Sequence, residues 1–178
     1  PGVQRIRLAD GAVETILTGT TSCDPVRRTA WGSILVGEED TNGWLIEIIN
    51  PLQTTSVTFN RATGTASGGT GAANVIGRTA VGHLAFEGLG LYPNGVLYYG
   101  DENRPLNGNP GGAYFKFIPT TPWAGGVITS LGQSPLTSGK VYGLRLGKRS
   151  NNTDYGQASE TGLGTWIDVY DWSVTYGK

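Results

Sequence analysis

One arrangement occurs twice in this chain and limits what it can fold into. An apolar run, Ser33-Ile34-Leu35-Val36, ends in Gly37-Glu38-Glu39-Asp40, an Asn42-Gly43 turn follows, and Trp44 to Ile49 returns to Pro51. The plan recurs as Val96-Leu97-Tyr98-Tyr99, then Gly100-Asp101-Glu102, a Gly/Pro/Asn-rich link, and Ala113 to Pro119. β-Branched and aromatic residues favour strands, carboxylates sit better where strands end, and Asn-Gly is a hairpin turn. Each copy therefore reads as a hairpin with carboxylates at the exit of its first strand.

The remaining segments are also strands and turns. Gln4 to Leu8 alternates apolar and polar residues, Asp10-Gly11 turns the chain, and Val13 to Leu17 returns. Thr18 to Thr29 reads as a loop carrying Cys23, Asp24, Arg27 and Arg28. Val57 to Phe59 and Ile128 to Leu131 read as short strands, and Thr63 to Ala73 as a flexible loop rich in Gly, Ala, Ser and Thr. Gly82 to Leu91 holds too much glycine for a helix and reads as a strand with Glu87 on one face. Lys140 to Gly147 alternates with period two and pairs with Thr165 to Tyr170 as a third hairpin. Trp172 to Tyr176 ends the chain.

No window of about 12 residues carries a 3.6-residue period. Glycine fills 29 of 178 positions, about twice the usual ~7%. The expectation is a single all-β domain over residues 1–178, a β-propeller or partial propeller built of short antiparallel blades. The chain is short for a closed ring of typical blades, so further chain segments or subunits would complete it. The start at Pro1, without methionine, reads as processing or as a piece of something longer.

Composition excludes several function classes. Charged residues make up 15% and the net charge is −1, so nothing favours nucleic acid or an anionic membrane electrostatically. No apolar run approaches the ~20 residues that span a bilayer. The sole cysteine, Cys23, excludes an internal disulfide and a Cys-rich zinc site. Residues 63–73 lack a phosphate-loop lysine. With His83 the only histidine and no nucleophile-elbow sequence, nothing in the chain favours a Ser-His-Asp triad. The Lys-poor, Thr/Gly/Asn-rich composition points to a periplasmic or extracellular protein. Asn151-Asn152-Thr153 fits a glycosylation sequon, which matters only in a eukaryotic secretory route.

Several stretches together, in order, resemble the PhoX-type alkaline phosphatases, exported bacterial β-propeller enzymes that depend on metals. They are Cys23, then Thr29-Ala30-Trp31-Gly32-Ser33, Glu38-Glu39, and Gly43-Trp44-Leu45-Ile46-Glu47. Gly82 to Glu87 follows, then Tyr98-Tyr99-Gly100-Asp101-Glu102 and Tyr114 to Pro119. Gly139 to Leu146 and Gly164-Thr165-Trp166 complete the set. The likeness covers about residues 20–168, the central part of such an enzyme. The sequence departs from the family pattern where Gly37 replaces a Cys, Phe86 replaces a His and His83 replaces an Arg. The family's upstream Asn-His-Glu motif and closing segment have no counterpart.

The resemblance implies a calcium and iron cluster that acts on a phosphate-ester substrate. It makes Glu38, Glu39, Glu87, Asp101 and Glu102 candidate ligands, because carboxylate oxygens suit hard cations. Cys23 is a candidate thiolate ligand to iron, and Arg27 and Arg28 are candidates to hold a phosphate oxygen. The competing reading is a non-catalytic, propeller-derived structural or binding protein in an exported or larger assembly. Taken alone, a Glu-Glu-Asp hairpin tip is most often solvated surface, and His83 beside Leu84 and Phe86 reads as half-buried. Geometrically, the metal reading requires the two acidic tips and Glu87 to meet at one cavity, which a cation or Arg27, Arg28 or Arg104 would neutralise.

Overall fold

The computed structural model describes residues 2–103, 112–146 and 164–169, and over these the chain is all-β, as its pattern predicts. In chain order the strands are β1 (Val3–Ile6), β2 (Val13–Thr18), β3 (Cys23–Arg28), β4 (Ile34–Glu38), β5 (Leu45–Ile48), β6 (Val57–Asn60) and β7 (Thr65–Ser67). Then come β8 (Val75–Gly77), β9 (Phe86–Leu91), β10 (Leu97–Asp101), β11 (Tyr114–Pro119), β12 (Gly139–Leu146) and β13 (Gly164–Asp168). Short 3-10 turns occupy Ala72–Asn74, Thr79–Val81, Leu131–Gln133 and Pro135–Thr137. No helix among the described residues is long and apolar enough to cross a membrane.

The strands form two sheets. The first, ordered β1-β2-β6-β7-β8-β5-β4-β3, is nearly closed and barrel-shaped. It is mixed, because β2 and β6 run parallel at Leu17 and Val57. The second, ordered β13-β12-β11-β10-β9, is antiparallel throughout. This arrangement is compatible with a partial propeller or barrel. All the expected hairpins are present: β1–β2, β4–β5, β10–β11 and β12–β13.

Three local expectations fail. Residues 18–29 read as a loop, but Cys23–Arg28 is β3, paired antiparallel with β4; its mostly exposed, polar side chains give no apolar period. The stretch Thr63–Ala73 contains β7, which pairs with β6 and β8. Its Thr and Ser side chains are exposed, so backbone pairing makes the strand and no apolar period announces it. Ile128 to Leu131 is not a strand. Ile128 is buried, but its N–H donates to the Trp31 carbonyl at 3.1 Å, and a Ser130–Gln133 capping box then winds the chain into a 3-10 turn. The segment Trp172 to Tyr176, the Asn151 sequon and Arg104 lie outside the described residues.

The β4–β5 hairpin explains its unbroken apolar run. Leu35, Leu45 and Ile49 face the core between the sheets, against Trp31, Phe86, Leu97, Tyr99 and Phe117. Val36, Ile46 and Ile48 face inward in the first sheet, against Leu17, Trp44, Val57 and Phe59. A strand buried on both faces needs no polar side.

Glu47 interrupts this run and is fully buried. Its carboxylate accepts hydrogen bonds from Trp31 Nε1 (2.6 Å), Ser33 Oγ (2.6 Å), Arg78 Nε (2.7 Å) and Ser134 Oγ (2.7 Å). Arg78 continues to the Leu131 carbonyl at 2.7 Å. One carboxylate thus ties β5 to the approach to β4, the segment after β8 and the 131–137 turns. Removing one partner of such a buried pair leaves an uncompensated charge, which costs about 3–5 kcal/mol. Glu47→Gln is expected to destabilise the fold by about that amount in urea denaturation. A loss below about 1 kcal/mol, the range of exposed pairs, would show that the network is dispensable.

Candidate metal centre

The tip after β4 is sorted by strand alternation, which sends neighbouring side chains to opposite faces. Glu38 turns inward and is fully buried. It accepts from Thr21 N–H (2.9 Å), Trp44 N–H (3.1 Å) and Arg61 Nε (3.0 Å). Arg61, in the turn between β6 and β7, also pairs with Asp40 at 3.0 Å. Glu39 points the other way, its N–H anchored on the Ser22 carbonyl at 2.8 Å.

The second tip divides likewise. Asp101 Oδ1 accepts from the Ala85 and Asn103 N–H groups at 3.2 and 3.1 Å, so Asp101 pins its own turn. The Glu102 N–H donates to the Ala85 carbonyl at 2.9 Å, fixing the next residue. A register shift between Tyr99 and Asp101 lets β9 bulge against β10. Bulges re-aim side chains, and this one lies beside Glu87.

Glu39, Glu87 and Glu102 meet. One oxygen from each lies within 4.8 Å of the others, and all three residues are partly exposed. About sixty residues separate the tips in sequence. The Glu39 carboxyl is pushed up to about 7. The largest cause is a hydrogen bond shared with Glu102, followed by the charge of Glu102, partial desolvation, and the charges of Glu87 and Asp24. Like charges this close disfavour joint ionisation.

The other candidates are placed differently. Glu38 and Asp101 serve the hairpins as described, with both Glu38 oxygens and Asp101 Oδ1 engaged by protein donors. Cys23 is half-buried against the apolar side of the first sheet, and burial pushes its thiol up, away from the thiolate that iron would take. Its sulfur is not part of the three-carboxylate group. Arg27 donates to the Leu89 carbonyl from Nε (2.8 Å) and to the Val26 carbonyl from Nη1 (3.1 Å), bridging β3 to β9. Arg28 ends β3 opposite Ile34, whereas Cys23 at the other end opposes Glu38; the strand separates them by roughly 16 Å. His83 is exposed rather than half-buried and sits edge-on to Trp44, ring centroids 4.0 Å apart.

The three carboxylates fit a hard cation. Oxygen ligands at about 2.3–2.6 Å from calcium span the separations seen here, and calcium's 6–8 ligands leave places for water or other chain segments. Glu39, Glu87 and Glu102 would hold the ion. Gly37, buried at the end of β4, packs under Phe86: a Cβ on Gly37 would meet Phe86 Cβ and Pro25 Cγ at 2.7 Å. Arg61 and Glu47 were not singled out by sequence reasoning. An acid inside an apolar strand does signal a buried partner, but nothing in the turn Asn60–Gly64 marks Arg61 as the clamp on Glu38. Scans against family models, curated proteins and solved structures find no match to this chain.

The raised Glu39 pKa fixes a direction with pH. The folded state holds this proton more tightly than the unfolded chain, so the contribution of Glu39 to stability is full below about 4.5 and is lost as pH rises through about 7. Asp10 and Glu14, lowered mainly by hydrogen bonds from Arg7 and Thr55 respectively, act with the opposite sign below the normal carboxylate range. In chelator, the melting midpoint of the wild type should fall from pH 5 to pH 8, whereas that of Glu39→Gln should fall less. An equal fall in both proteins would remove Glu39 as its source.

Proposed function

We propose that the chain provides the carboxylate wall of a calcium- or iron-dependent phosphomonoesterase of PhoX type, as its central part. The observation that supports this reading is the convergence of Glu39, Glu87 and Glu102, from three separated segments, on one accessible point. A hard cation bound there supplies charge to polarise a phosphoryl oxygen and stabilise added negative charge. The chain's own residues hold and orient: Glu38 and Asp101 fix the two tips, and Glu39, its carboxyl pushed up to about 7 by the hydrogen bond with Glu102, would give up its proton to bind a cation. Arg27, with Nε and Nη1 engaged by carbonyls, serves as a brace between sheets. A periplasmic or extracellular setting suits this reading.

A second reading is favoured by one specific contact. At the two positions where the family shows Cys and His, this chain has Gly37 and Phe86, and they pack on each other in the core. A scaffold that keeps its carboxylates while filling a ligand position with an apolar contact suits a binding or structural protein that uses calcium to order its tips.

Metal analysis of the purified chain, with p-nitrophenyl phosphate as substrate, separates the readings. The enzymatic one expects calcium or iron in the protein, phosphate release that chelator abolishes, and a loss of about 10–100-fold or more in Glu87→Gln with its melting midpoint nearly unchanged. Bound calcium without hydrolysis selects the second reading. Absence of both ions rejects a metal role.

A further inference from the structure

A cleft of about 520 Å³ lies at the far end of β3 from the carboxylates, within the usual range for small-ligand sites. Val26, Arg28, Ile34, Pro51, Leu52 and Gln53 line it, and no acidic residue does. Val26 and Arg28 share one face of β3, while Arg27 points to β9.

The apolar wall is costly as solvent-facing surface. Leu52 is 80% exposed and Val26 48% exposed. Leu52 is nevertheless held firmly: the Gln53 N–H closes its turn onto the Asn50 carbonyl at 2.9 Å, and Arg5 Nη1 donates to the Pro51 carbonyl at 2.7 Å. Asn50 takes a left-handed φ of 46° to make the turn. The wall is therefore built before any ligand arrives.

The polar end is equally defined. Among the described residues, the Arg28 guanidinium makes no hydrogen bond or ion pair. The arginines on the other side of Leu52 are taken: Arg5 pairs with Glu14 and Arg7 with Asp10. Arg28 is thus the one uncompensated cation described beside this apolar wall. A guanidinium fork matches a carboxylate with two parallel hydrogen bonds. A single cation, with no lysine or second arginine in the cleft, balances a monoanion better than a dianion.

We propose that this cleft binds a small amphiphilic carboxylate, its head on Arg28 with Gln53 alongside and its apolar body against Val26, Ile34 and Leu52. The site is separate from the acidic tips and does not depend on the function proposed for them. For a ligand of about ten heavy atoms held this way, millimolar binding lies within the ceiling on affinity per atom.

Calorimetry and saturation-transfer NMR on the full chain test this with octanoate as the probe. Saturable one-site binding is expected, weakened about tenfold or more in Arg28→Gln through loss of the charge-assisted bonds, and also weakened in Leu52→Ser. Octan-1-ol, with the same tail and no charge, should bind the wild type at least about tenfold more weakly. Arg28 is exposed, so Arg28→Gln should keep the wild-type melting midpoint. The proposal is overturned if octanoate does not bind at millimolar concentration, if Arg28→Gln binds it unchanged, or if octan-1-ol binds equally well. It is also overturned if light scattering shows a dimer that Leu52→Ser dissociates, since the cleft is then covered by a second copy.

Discussion

The buried carboxylate of Glu47 is the interaction on which this fold depends. A charge in a dry core is tolerated only when every lone pair finds a donor, and here an indole, two hydroxyls and a guanidinium do so. Those donors come from segments with no ladder in common. Trp31 and Ser33 precede β4, Arg78 follows β8, and Ser134 belongs to the irregular stretch after β11. Apolar burial on the same face makes the intersheet core, but burial is not directional. The Glu47 network sets how those segments sit on the core, and the position of the β4–β5 hairpin follows from it.

That hairpin carries the acidic tip, so the geometry of the candidate metal centre is inherited from the core. Each acidic pair is split by the alternation of an extended chain. One member is spent on architecture: Glu38 on Arg61 and backbone N–H groups, Asp101 on the turn beside it. The other member projects to the meeting point with Glu87. The division gives the cluster its character, because Glu38 and Asp101 are engaged by fixed donors while the outer three repel one another. The shift of the Glu39 carboxyl to about 7 records first the hydrogen bond it shares with Glu102 and then that repulsion.

Much of this was legible in the chain. Strands with period-two patterning and Asn-Gly or Asp-Gly turns folded as hairpins, and the doubled acidic plan did bring distant carboxylates together. What escaped was long-range or backbone-made. β7 offers only Ala66 to the core between exposed Thr65 and Ser67, too short an apolar signal to read. Arg61 lies 23 residues from Glu38, within a turn whose local sequence says nothing of its reach. Alternation along Glu38-Glu39-Asp40 was a usable signal that only one of the first two would face the cluster. Cys23 and Arg28 were grouped with the carboxylates through the resemblance alone, in a stretch that reads as a loop and folds as β3. The strand's length carries Arg28 away from them, and the apolar packing of Cys23 keeps its sulfur apart.

The central claim is that Glu39, Glu87 and Glu102 form one cation site while Glu38 and Asp101 do not contribute ligands. Calcium titration by calorimetry at pH 8 tests it directly, comparing the chelator-treated wild type with single Gln variants at positions 39, 87 and 102 and with Asp101→Asn. The account predicts a single calcium site, weakened roughly tenfold or more by each Gln variant, about 1.4 kcal/mol per decade, and little changed by Asp101→Asn wherever that variant remains folded. No calcium binding, or equal binding by wild type and the three Gln variants, would contradict it.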